Sequence, residues 1–184
     1  IFQRSIKNEV SAVGVGLHSG KKVRIVLKPA KENSGIIFKR IDTKIPVEIK
    51  VQPQAVKETR LSSTIGKDKF KISTVEHLMS ALSASGIDNI LIEVDGSEIP
   101  IMDGSSISFV YLIKSAVIHE QSKFKKFAVI KDLIEVKDGE KFARFEPYEG
   151  FLVDFTIDFP HPAIKQENSR VEIDFFKDSY ESHI

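Results

Sequence analysis

Glu76-His77 is the adjacent carboxylate–imidazole pair placed to sit inside a fold, within Ile72-Ser73-Thr74-Val75-Glu76-His77-Leu78-Met79-Ser80-Ala81-Leu82. An imidazole can ligate Zn²⁺ while a neighbouring carboxylate takes a proton from the metal's water, so the pair suits metal-assisted hydrolysis. A catalytic zinc needs about three protein ligands. No sequence-local partners stand nearby. There is no HExxH, and none of His18, His77, His119 or His161 is followed four residues on by His, Asp or Glu. A structural reading stands beside the catalytic one. Ser73 and Glu76 match a capping box, in which the hydroxyl takes an early amide and the carboxylate reaches back.

Other residues could serve a site from a distance. Gly14-Val15-Gly16-Leu17-His18-Ser19-Gly20 is a glycine-punctuated turn. It lacks both the Walker spacing and GxGxxG, so a plain turn is the reading, with His18 either lining a cleft or facing water. Asp158-Phe159-Pro160-His161-Pro162 ends an apolar run and offers a ring that could stack a base or form a core edge. Lys141, after the turn at Asp138-Gly139, is a solvated charge by default and could meet a phosphate.

These residues need a frame. Val75, Leu78, Met79 and Leu82 gather on one stripe, predicting a helix over 74–85 with Gly86 as its C-cap and His77 turned away from the stripe. Strands are expected at 23–27, 36–40, 47–51 and 89–94, the first forming a hairpin with the run before the glycine turn. The run at 89–94 is nearly all aliphatic, predicting cover on both faces. A second helix is expected over 106–119, apolar around most of its circumference. Glu120 to Lys126 reads as a linker. Beyond it, strands are expected at 127–130, 134–136, 142–145, 151–159 and 171–175 with almost no helix. The fold class is α+β, with domains at 1–122 and 123–184.

Composition narrows the class. Lys+Arg 27 against Asp+Glu 26 gives a net charge of +1, which offers no electrostatic case for nucleic acid. No cysteine removes disulfides, thiol nucleophiles and thiolate metal sites, and is compatible with a reducing cytoplasm. No apolar run reaches the ~18 residues of a membrane span. The chain begins at Ile1 and ends at Ile184 without a terminator signal, which reads as a piece of something longer.

Taken together, Gly14-Val15-Gly16-Leu17-His18-Ser19-Gly20-Lys21, Ser73-Thr74-Val75-Glu76-His77-Leu78, Gly86-Ile87-Asp88-Asn89, Glu98-Ile99-Pro100-Ile101-Met102-Asp103-Gly104-Ser105 and Ile157-Asp158-Phe159-Pro160-His161-Pro162 resemble one family. It is UDP-3-O-acyl-N-acetylglucosamine deacetylase, the zinc amidase of lipid A synthesis in Gram-negative bacteria. The resemblance implies two sheet-plus-helix domains packed helix to helix, acting in the cytoplasm on a UDP-linked acylated glucosamine. It makes His77 a Zn²⁺ ligand and Glu76 the general base. It places Asp158 and Phe159 at the uridine, Lys141 near the diphosphate and His18 beside the cleft. The family's other two zinc ligands, in an H-K-x-x-D arrangement, and a later catalytic His would lie beyond Ile184. The chain would then be a first domain and a truncated second, inactive alone and prone to self-association through its exposed helices. The rivals are a non-catalytic binding or scaffold module in which Glu76 only caps, and a metal hydrolase completed by another subunit.

Overall fold

The computed structural model describes residues 1–158 and 169–182. It divides into two compact units, Ile1–Lys125 and Lys126–Ile184. Strands with two short helices make the chain α+β.

The first unit is built on a five-stranded mixed sheet. Strands β2 (Val10–Val15) and β3 (Lys22–Pro29) form the expected antiparallel hairpin. β3 pairs with β9 (Ile90–Val94), which runs parallel to β4 (Ile36–Arg40), and β4 pairs with β5 (Val47–Lys50). Register puts Leu27, Ile92, Phe38 and Ile49 in one cross-strand row, and all four are fully buried or nearly so. Residues directly opposite share a face, so this row is the spine of the core. The expectation that 89–94 is covered on both faces holds for one face only. Leu91 and Glu93 on the other are half-buried, and Glu93 pairs with Lys28 at 2.8 Å.

A three-stranded antiparallel sheet follows: β6 (Val56–Glu58), β7 (Thr64–Lys67) and β8 (Phe70–Ile72). Helix α1 (Glu76–Ala84) then buries Leu78, Ala81 and Leu82 and packs against α2 (Ile107–Ser115). Gly86, at φ 65°, ends α1: its amide donates to Ser83 O, and that of Ile87 to Leu82 O. That pair of bonds is a Schellman ending, which requires the left-handed conformation glycine adopts freely.

Helix α2 stops before the expected His119. Val117 turns left-handed at φ 61°, and Ile118–Phe124 becomes β10, antiparallel to β1 (Phe2–Ile6). The stretch read as a linker is thus largely strand, because β1 offers its polar backbone a ladder partner. Phe109, Val110 and Ile113 of α2 are buried, Ile107 and Leu112 half-buried, and Tyr111 stays exposed. The helical surface is smaller and better covered than its composition suggested.

In the second unit β11 (Ile134–Asp138) pairs with β12 (Lys141–Phe145), and β13 (Leu152–Thr156) with β14 (Arg170–Asp174). Residues 127–130, expected as strand, are irregular. Every residue of β11, β12 and β13 is exposed.

Candidate active site

Glu76 and His77 open α1, and both side chains are half-buried. The capping box does not form. The helix N-cap is Val75, with no side-chain cap, and the Ser73 hydroxyl donates to Ser97 O at 3.3 Å. The Glu76 carboxylate faces the preceding sheet, where Oε2 accepts the amide of Ser63 at 2.9 Å. A negative charge in the first turn also suits the positive end of the helix dipole. Among the described residues Oε1 has no hydrogen-bond partner, nor does the imidazole of His77. The pair is therefore one oriented carboxylate with a free oxygen beside one unengaged imidazole.

The segment leading into α1 is strained and tied down. Thr74 is buried at φ 57°, a left-handed conformation that a β-branched residue rarely adopts. Its hydroxyl donates to Glu98 Oε1 at 3.3 Å. Backbone bonds fix the flanks: Ser73 N to Ser97 O, Ile99 N to Ser73 O, and Val75 N to Ser63 O.

Glu98 carries the same attachment to the glycine-rich turn. Its Oε1 accepts the His18 amide at 2.8 Å, and its Oε2 the Ser19 amide at 2.9 Å. The carboxylate is 2% exposed. Burial alone would push its pKa up, but the hydrogen bonds from His18, Ser19 and Thr74 outweigh burial and hold it below the usual carboxylate range. Glycines admit this arrangement. A Cβ on Gly16 would strike the Glu98 carboxylate, and one on Gly14 would come within 2.8 Å of Pro100 Cβ. The turn that sequence reasoning treated as plain is a socket for a buried acid. Glu98 received no role from the sequence; the available signal was a lone acid directly before Ile99-Pro100-Ile101-Met102.

The structure thus joins His18, through its backbone, to the start of the Glu76–His77 helix; the His18 side chain is exposed. Two depressions of the first unit, of about 790 and 220 Å³, are lined by Lys31, Glu32 and His119–Ser122, and by residues around Lys21, Asp42 and Asp95. Neither includes Glu76 or His77. Lys141 and Asp158 belong to the second unit and are exposed. Phe159 and the Pro160-His161-Pro162 turn lie outside the described residues.

An adjacent base and imidazole at a helix start, in an α+β chain, define a candidate hydrolase. The family model for UDP-3-O-acyl N-acetylglycosamine deacetylase matches residues 3–184, and the chain belongs to that family. The donor chemistry suits zinc, since the half-buried His77 imidazole has no competing partner among the described residues. The described residues contain no group of three or more His, Cys, Asp or Glu that could hold a metal. No helix among them is long and apolar enough to cross a membrane.

Proposed function

We propose that this chain supplies the base and one metal ligand of a zinc-dependent deacetylase. Its substrate would be UDP-3-O-acyl-N-acetylglucosamine, in the cytoplasmic pathway to lipid A of a Gram-negative cell. The observation that carries the reading is the pairing of a tied carboxylate with an unengaged imidazole, in a member of this family.

His77 would hold zinc through its imidazole as one of about three protein ligands, the others coming from outside the described residues. Zinc, when bound, supplies a Lewis acid for the acetyl carbonyl and lowers the pKa of water. Glu76 takes the proton of the attacking water on its free Oε1, while the Ser63 amide holds Oε2 and fixes the carboxylate plane. Water adds across the amide C–N bond, releasing acetate and leaving the glucosamine amine. By motif match, Asp158 and Phe159 would contact the uridine, Lys141 the diphosphate, and His18 the border of the cleft.

The test is acetate release from UDP-3-O-acyl-N-acetylglucosamine by the intact protein. Turnover lost on chelation and restored by Zn²⁺ supports the reading. Turnover that survives complete zinc removal overturns the metal's part, and no turnover in zinc-replete protein overturns the substrate.

A further inference from the structure

Glu98 is a buried carboxylate whose hydrogen-bond partners are all neutral. Among the described residues its donors are two backbone amides and the Ser19 hydroxyl, from a turn about 80 residues earlier in the chain, and the Thr74 hydroxyl from the entry to α1. Removing a charge from water without a cation is costly unless several donors satisfy it. Here the donors belong to the two segments that carry His18 and Glu76–His77. A backbone ladder runs through the same place: Ser73 bridges Glu98 in parallel, and Ile101 N donates to Val15 O. The carboxylate therefore sits where the glycine turn, the strand before α1 and the 98–101 segment meet.

Thr74 gives this junction its consequence. A β-branched residue at φ 57° stores backbone strain, and persists only where its surroundings over-determine it. The Glu98–Thr74 bond is one such constraint, two residues before Glu76. Relaxation of Thr74 towards negative φ would rotate the chain entering α1 and re-aim the first-turn side chains.

We propose that Glu98 is a positioning residue: it locks the His18 turn to Thr74 and thereby aims Glu76 and His77. This rests on the deacetylase reading for its effect on turnover, but the lock itself is a separate structural claim. Glu98→Gln keeps the shape and replaces one acceptor oxygen with an NH₂ group, which must face a donor. Thr74→Val removes only the hydroxyl bond. Thr74→Gly removes the strain, because glycine takes positive φ freely.

The experiment uses the intact zinc-loaded protein, with three readouts: amide hydrogen exchange at His18 and Ser19, zinc content, and kcat separated from KM. Glu98→Gln should speed exchange at His18 or Ser19 by at least about tenfold. It should lower kcat by a similar factor, with KM within about twofold and zinc retained. Thr74→Val should lower kcat severalfold and leave exchange at Ser19 unchanged. Adding Thr74→Gly to Glu98→Gln should recover part of the lost kcat, since the chain no longer needs forcing into the left-handed region. A purely structural Glu98 would give no such rescue. Unchanged exchange in Glu98→Gln overturns the lock. Faster exchange with normal kcat, or a kcat loss that glycine at 74 does not relieve, overturns the positioning role. Should Glu98→Gln fail to fold, Thr74→Val decides: full kcat in that variant overturns the proposal. Absence of turnover in the unsubstituted protein would instead tell against the deacetylase reading, while the exchange data still judge the lock.

Discussion

Glu76 Oε2 accepts the backbone amide of Ser63 at 2.9 Å, across the gap between the small sheet and the first turn of α1. The bond gives the carboxylate a structural role separable from the proposed catalytic one. Glu76→Gln keeps an acceptor for Ser63 but no longer takes a proton, whereas Glu76→Ala loses both functions. In the intact protein both variants should lose about 10²–10⁴ in kcat, the usual share of a general base. Unfolding free energy should fall by about 1 kcal/mol in the alanine variant and stay near the parent value in the glutamine variant. Normal turnover in Glu76→Gln, measured by acetate release, would leave the carboxylate a structural tie only.

His77 tests the other half of the pair. Its ring is half-buried and makes no hydrogen bond among the described residues, so truncation costs little structure. His77→Ala should strip most of the zinc from the intact protein and shift its melting temperature only slightly in the metal-free state. Metal content by mass spectrometry decides it. Stoichiometric zinc in His77→Ala would remove it from the ligand set.

A third expectation concerns acid stability. Arg40 is largely buried and grips Asp42 through two bonds, Nε to Oδ1 at 2.7 Å and Nη2 to Oδ2 at 2.6 Å. Nη1 of Arg40 donates to Lys71 O, joining the large sheet to β8. The Arg40 hydrogen bonds hold the Asp42 carboxyl below its ordinary pKa. A depressed folded pKa means stability that is fully present above the unfolded value, about 3.9, and lost as pH falls through the folded value. Asp42→Asn should cost roughly 1 kcal/mol at pH 7, since Asp42 is exposed and solvent screens the pair. The gap between parent and variant should start to close below about pH 4 and narrow further as pH falls. Urea titrations at pH 7 and pH 3 measure it; a gap that stays constant with pH would mean the pair adds nothing through its charge.

What could be read from the sequence was periodic and local. Of the stripe Val75, Leu78, Met79 and Leu82, three residues are buried as spaced and Met79 is half-buried, Gly86 ends the helix it was expected to end, and the β2–β3 hairpin forms around its glycine turn. What failed had the right composition and the wrong partner. Ser73 and Glu76 have capping-box spacing, yet Ser73 bonds Ser97 and Glu76 bonds Ser63. Val117 and Ile118 extend an apolar helical pattern, yet β1 claims Ile118 for a strand. Glu98 shows the limit most clearly. Its partners are fixed by sheet register across long separations, and no local spacing encodes them. For the candidate site, the Glu76–His77 adjacency was legible, and the contacts of the segment leading into α1 were not.

The last expectation follows from the second unit. Phe142, Phe145, Val136, Phe155 and Phe176 are each more than half exposed. The first four lie on short two-stranded ladders, which are marginal in water without a covering layer, and Phe176 follows the last of them. Contiguous apolar surface beyond a few hundred Å² is rare on soluble monomers and favours association. Self-association was expected through the helices, but of the large apolar side chains on α2 only Tyr111 is exposed, at 63%. The strands of the second unit are the better candidate. The 184-residue polypeptide, its mass confirmed, should therefore bind a hydrophobic dye and sediment as a species whose size grows with concentration. Replacing Val136, Phe142 and Phe155 with serine should reduce both effects, while replacing Tyr111 should change neither. A concentration-independent monomer that binds no dye would show these side chains covered in solution, and would end the case for association through either surface.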